Sequence, residues 1–173
     1  MPVSLQLLSQ FTLLKPLTRE ALEPLSSRMN LRQFPRRAMV MSKDSPIQDL
    51  GFLVEGRLQG VDFTVDGRSV GMYFVDPGDY FGELSLVDGK APSEFVVAAV
   101  KSTVAFLDGG AARELILGHP ELAQAVMARL AHRVRTVMAL FGCWQASAAL
   151  VSRLSSTCLI WSATASTGGR PEA

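Results

Sequence analysis

The chain has 173 residues, a formal net charge of +1 and 19% charged residues, with a mean hydropathy of +0.22. It is long enough for one domain with its own core plus an appendage, and too apolar for wholesale disorder. The near-neutral balance excludes a strong generic pull on nucleic acid or an anionic membrane.

The first residues, Met1-Pro2-Val3-Ser4-Leu5-Gln6-Leu7-Leu8, lack a basic run and a small-residue cleavage site, and do not read as a signal peptide. No apolar run approaches the roughly 18 residues of a membrane-spanning helix, so no membrane partner is expected. Cys143 and Cys158 are too few for a disulfide framework and read as reduced thiols of a cytoplasmic protein.

Residues 4–30 have helical texture. Thr18 precedes Arg19-Glu20-Ala21-Leu22-Glu23 as a start signal, and Leu17, Leu22, Leu25 and Met29 supply an inward face. The texture changes after Asn30. Gly51-Phe52-Leu53-Val54-Glu55-Gly56 is an apolar run bounded by glycines, which suits a buried strand. Val61, Phe63 and Val65 then alternate with polar residues, and Val70, Met72 and Phe74 alternate beyond Asp66-Gly67. Asp-Gly between alternating runs predicts a tight hairpin, because both turn residues must reach positive φ. Gly60 interrupts its strand and marks a candidate bulge.

Asp76-Pro77-Gly78-Asp79 is a further turn. Phe95–Val100 and Thr103–Leu107 supply two more strands, split by Lys101-Ser102. Many short strands joined by glycine-rich turns predict a small barrel or jelly roll. Residues 110–117 read as one short helix, and a longer one starts at His119-Pro120-Glu121, where proline suits the first helical turn.

The stretch Phe81-Gly82-Glu83-Leu84-Ser85-Leu86-Val87-Asp88-Gly89-Lys90 carries the chemistry. Gly82 permits close backbone approach. Leu84, Ser85 and Leu86 open a short helix whose first N–H groups lack internal partners and favour an anion. Glu83 offers an acceptor for a ribose hydroxyl. With strands before it, Asp-Pro-Gly-Asp-Tyr-Phe leading in and a valine-rich strand after, this run resembles the phosphate-binding cassette of the cyclic-nucleotide-binding domain. The resemblance runs from about Leu14 to Val137, includes Phe52-Leu53-Val54-Glu55-Gly56-Arg57, and is closest to the sensor half of Crp/Fnr-type transcription regulators. It implies an α+β fold: an antiparallel double-stranded jelly roll, or β-roll, with an N-terminal helix and a long C-terminal dimerisation helix.

Gly82, Glu83, Leu84 and Ser85 match ligand-binding cassette positions, and Ser93 matches the small hydroxyl that follows the family's phosphate arginine. The arginine position falls on Pro92, which has neither a charge nor an N–H. Glu94 puts an acid close by. Loss of one hydrogen bond to a charged group, about 1.5–3 kcal/mol, lowers affinity ten- to a hundredfold. An inward Glu94 adds repulsion, whereas an outward one does not. Lys90 and Lys101 are candidate substitutes, though an ammonium is a poorer clamp than a guanidinium. A cyclic nucleotide, cAMP or cGMP, is the only cofactor implied. The expected ligand is either weakly held or not a cyclic nucleotide.

Met127, Leu130, Val134, Val137, Phe141 and Trp144 recur in steps of three and four, a short heptad seam. The plain reading is one amphipathic helix packed on the barrel. The resemblance implies a homodimer through this seam, with Arg129, His132, Arg133 and Arg135 as a solvated face. The expected layout is helices and β-roll at 1–118, dimerisation helix at 119–145 and a short tail at 146–173. The tail is too short for the family's helix-turn-helix domain and holds Arg153 and Arg170 as its only basic residues, so no direct DNA binding is expected from the chain as it stands. The alternative is a sensor-only or protein-interaction module with a vestigial pocket.

Enzyme classes find no support. A cupin-type metal site needs several converging ligands, whereas His119 and His132 lie outside the predicted strands. No nucleophile–base pair or cysteine cluster for iron–sulfur chemistry is present.

Overall fold

The computed structural model describes residues 3–45, 49–63, 66 and 69–139. The chain falls into two units, Met1–Val126 and Met127–Ala173. Among the described residues the first holds eight strands: β1 Met29–Phe34, β2 Met39–Met41, β3 Leu50–Glu55, β4 Leu58–Phe63, β5 Ser69–Val75, β6 Tyr80–Phe81, β7 Phe95–Ala98 and β8 Ser102–Leu107. They form two four-stranded antiparallel sheets, ordered β1-β8-β3-β6 and β2-β7-β4-β5. This is the expected α+β β-roll.

The helical expectation for residues 4–30 is only partly met. The structure has α1 Leu5–Leu8, a run of turns, and α2 Arg19–Arg28. At Met29 the chain leaves the helix and pairs with Leu107 as the first residue of β1. Thr18 is the N-cap, but its side chain makes no capping hydrogen bond. Pro24 lies inside α2, removing one i→i−4 bond. The expected inward face is real: Leu17, Leu22, Leu25 and Met29 are all buried. Phe11, in the turns, stacks on Phe52 of β3 with ring centroids 4.9 Å apart. That contact and Thr12 N–H donating to the Gly78 carbonyl at 2.8 Å fix the N-terminal segment to the roll.

The hairpin is present. β4 and β5 pair antiparallel from Leu58↔Val75 to Phe63↔Ser69, with a register shift between Gly60 and Val61, the bulge foreseen at Gly60. A Cβ at Gly60 would collide with the ring of Tyr73, so glycine here lets that ring lie across the strand. The turn residues other than Asp66 lie outside the described residues. The alternating apolar set of β5 faces outward: Val70, Met72 and Phe74 are exposed, together with Phe63 of β4. Inward positions are filled instead by Leu53, Leu58, Val75, Phe81, Val96, Val104 and Phe106, with Tyr73 packed against them.

Two helices follow β8. Helix α4 spans Gly109–Gly118 and is capped by Asp108, whose carboxylate accepts from Ala111 N–H at 3.2 Å. Helix α5 is helical from 120 to the last described residue, 139, with Pro120 at its first position as expected. In the first unit, Leu122 and Val126 are buried. In the second, Met127, Val134, Val137 and Met138 are exposed and Leu130 is half-buried. Phe141, Trp144, Cys143 and Cys158 lie outside the described residues. No helix among those described is long and apolar enough to cross a membrane.

Candidate ligand cassette

The cassette is built by a two-residue strand, a left-handed glycine and a helix of one and a half turns. Tyr80 and Phe81 pair with Phe52 and Gly51 of β3, which delivers Gly82 to the edge of the sheet. Gly82 takes φ 90° as N-cap of α3, Glu83–Asp88. A Cβ there would stand 2.7 Å from the Asp49 carbonyl oxygen, so both the backbone angle and the close approach require glycine. Gly89 closes the helix in a left-handed conformation, its N–H donating to the Ser85 carbonyl at 3.0 Å.

Glu83, Ser85 and Leu86 are buried, Leu84 is half-buried and Val87 is exposed. After α3 the chain alternates: Ala91 exposed, Pro92 buried, Ser93 exposed, Glu94 buried. The ambiguity over Glu94 is thereby resolved. Its side chain turns inward, 4% exposed, and accepts a 2.5 Å hydrogen bond from the Tyr73 hydroxyl. Lys90 and Lys101 are exposed. Pro92 and Glu94 therefore share the inward side of the segment, while Ser93 faces away from it.

One residue that the sequence did not single out holds the cassette in place. Arg113 of α4 donates from Nε and Nη2 to the Leu86 carbonyl at 3.1 and 2.8 Å. This guanidinium fork caps the carbonyl end of α3, where the helix dipole is negative. Twenty-seven residues separate the partners, so no local pattern signals the pair.

A cavity of about 230 Å³ adjoins Asp49 and Met41, the residues nearest to where a Cβ on Gly82 would stand. Its lining includes Arg32, Met41, Ser42, Asp49 and Phe106, and not Glu83, Ser85 or Ser93. Burial pushes the Asp49 carboxyl above the usual range, and nearby Asp108 adds to the rise. A hydrogen bond from the Gly109 N–H and the charge of Arg32 oppose it. Among the described residues, no group of three or more His, Cys, Asp or Glu side chains could hold a metal ion.

A family model described as cyclic nucleotide-binding domain matches residues 31–119, just over half of the chain. The chain belongs to the cyclic nucleotide-binding domain family. The match takes in both sheets, the cassette and α4, so the glycine, the short helix and its Arg113 clamp all fall within the family domain. No curated protein matches the chain closely enough to count as a relative.

Solved structures share the fold at low identity. The sensor domain of the transcriptional regulator DNR from Pseudomonas aeruginosa is 22% identical, with a TM-score of 0.67 over 77% of this chain and 89% of that one. The regulatory subunit of a cAMP-independent protein kinase A from Trypanosoma brucei, a triple mutant bound to cAMP, is 21% identical. Its TM-score is 0.64 over 72% of this chain and 44% of that one. The corresponding Trypanosoma cruzi subunit, bound to guanosine, is 21% identical with a TM-score of 0.60 over 68% and 41%. The present chain thus spans less than half the length of the kinase regulatory subunits it matches. The fold is shared by regulator sensor domains and kinase regulatory subunits alike.

Proposed function

We propose that this chain is a non-catalytic regulatory module whose cassette persists as architecture and does not hold a cyclic phosphate tightly. One observation carries the reading. Where the family pattern places a guanidinium, this chain buries the ring of Pro92 and, two residues on, the carboxylate of Glu94. A buried acid repels a phosphate more strongly than an exposed one, because less water screens it. The Tyr73 hydroxyl stabilises that carboxylate where it is.

Two of the structures that share the fold support the reading. The Trypanosoma brucei subunit, named cAMP-independent, is bound to cAMP as a mutant in which arginine replaces a threonine and alanine replaces a glutamate and a valine. The Trypanosoma cruzi subunit is bound to guanosine, which carries no phosphate. A cassette without its arginine accordingly suits no ligand or an uncharged nucleoside.

On this reading the output is a protein contact, and the partner is a second copy of the chain. The exposed Met127, Val134 and Val137 and the half-buried Leu130 support the seam, whose sequence spacing runs on to Phe141 and Trp144. The domain layout at 1–118, 119–145 and 146–173 is part of this proposal. The finer assignment, to the sensor half of a Crp/Fnr-type regulator, is supported by the near-complete overlap with a regulator sensor domain.

Calorimetric titration with cAMP, cGMP and guanosine at millimolar concentration tests the proposal. No saturable heat is expected for either cyclic nucleotide, and a micromolar Kd for one of them sinks the reading. Saturable heat with guanosine alone replaces the vestigial pocket with a nucleoside sensor.

A further inference from the structure

The cavity beside Gly82 sets two charged side chains, Arg32 and Asp49, on a wall it shares with the edge of the core. Met41 and Phe106 give it an apolar surface, and Arg32 and Asp49 put one charge of each sign on it. The two charges attract each other without closing into an ion pair. Ion pairs elsewhere include Arg28–Glu114, Lys43–Asp62 and Arg57–Asp76. The Arg32 guanidinium lies instead over the Phe106 ring, 5.4 Å from its centroid. The Gly109 N–H favours the charged form of Asp49, against its burial. Each charge has its own support, and apolar surface accompanies both.

This combination selects a ligand class. A simple anion would gain Arg32 but be repelled by Asp49, and a simple cation would meet the reverse. A neutral apolar molecule would strip water from both charges without replacing it. A molecule with both signs close together and an apolar remainder satisfies all three surfaces. At about 230 Å³ the cavity is smaller than the ~300 Å³ at which pockets for drug-sized ligands begin. We propose that it binds a free apolar α-amino acid, with the carboxylate on Arg32, the ammonium on Asp49 and the side chain against Met41 and Phe106. A thioether side chain adapts to apolar groups of varied shape.

The position gives such a ligand leverage. The Asp49 carbonyl abuts Gly82, the first residue of the cassette, and the Gly109 N–H at the start of α4 acts on its carboxyl group. The site shares no residue with Pro92 or Glu94, so it stands or falls independently of the cyclic-nucleotide titration.

The test is calorimetry on the full chain with L-leucine and L-methionine at millimolar concentration, alongside L-leucinamide, which lacks the carboxylate, and isocaproate, which lacks the ammonium. Saturable binding of one amino acid is expected, weakened about tenfold or more for both analogues and for Arg32→Gln. Arg32 is an exposed strand residue, so this variant folds. Asp49→Asn, which keeps an acceptor for Gly109, should weaken binding similarly. Should Asp49→Asn fail to fold, Arg32→Gln decides alone. Absence of binding by both amino acids overturns the proposal, as does undiminished binding of either analogue or undiminished binding to Arg32→Gln.

Discussion

On the proposed reading, replacing Pro92→Arg together with Glu94→Ala should create cAMP binding. The new guanidinium would be able to make two charge-assisted hydrogen bonds to a phosphate, each worth about 1.5–3 kcal/mol. Glu94 is 4% exposed, so its removal matters as well. A unit charge some 5 Å from a phosphate repels it by about 3 kcal/mol at an effective dielectric of ~20. Ordering the long arginine side chain costs about 2 kcal/mol. The balance favours the double variant by about 4 kcal/mol or more, roughly a thousandfold in Kd, which moves binding from beyond millimolar into the micromolar range. Because Glu94→Ala also removes the acceptor of the Tyr73 hydroxyl, thermal melts must accompany the calorimetry, and Glu94→Gln serves as the milder partner substitution. A double variant that melts cooperatively yet gives no saturable heat at millimolar cAMP refutes the reasoning, because the inward side of residues 92–94 would then not be where a phosphate sits.

Three further outcomes are expected. Arg113→Ala removes both hydrogen bonds to the Leu86 carbonyl and should lower unfolding stability by about 1–2 kcal/mol, read as a shift of the urea midpoint at unchanged slope. The Lys43 ammonium, hydrogen-bonded to Asp62 at 2.7 Å, holds the Asp62 carboxyl below its ordinary value of 3.8. Its stabilisation is present above pH 3.8 and is lost as pH falls through the lower folded value. Asp62→Asn should therefore flatten the acid limb of a stability–pH curve, and an unchanged limb would show that the pair does not act in solution. Val134→Glu with Val137→Glu should convert a dimer into a monomer by light scattering, while the melting temperature of the first unit stays put. A wild-type chain that is already monomeric sinks the seam.

Sequence reached the fold where local chemistry decides it. The pairing of the two alternating runs, the glycine bulge and Pro120 opening a helix all depend on backbone preferences within a few residues. It failed where pairing is distant. Met29 continues the helical spacing of Leu22 and Leu25, yet Leu107 claims it for a strand. β1 shows no alternation, with four exposed residues in succession, and neither its strand nor β2 has a period to read. The cassette was legible as a motif because Gly82 and the helix it caps are contiguous. Its energetics were not, because Tyr73 meets Glu94 across 21 residues and Arg113 meets Leu86 across 27. The apolar alternation of β5 was visible, but periodicity alone does not say which face meets water.

The Arg113 fork bears on how such a domain drifts in evolution. In a cassette held together by its ligand, losing the phosphate arginine would loosen the turn and expose the chain to unfolding. Here α3 is tied at its carbonyl end by a residue from outside the cassette, whether or not anything is bound. The scaffold is insulated from its own site. Substitutions at positions 92 and 94 should then be tolerated without loss of the fold, and ligand choice becomes free to change.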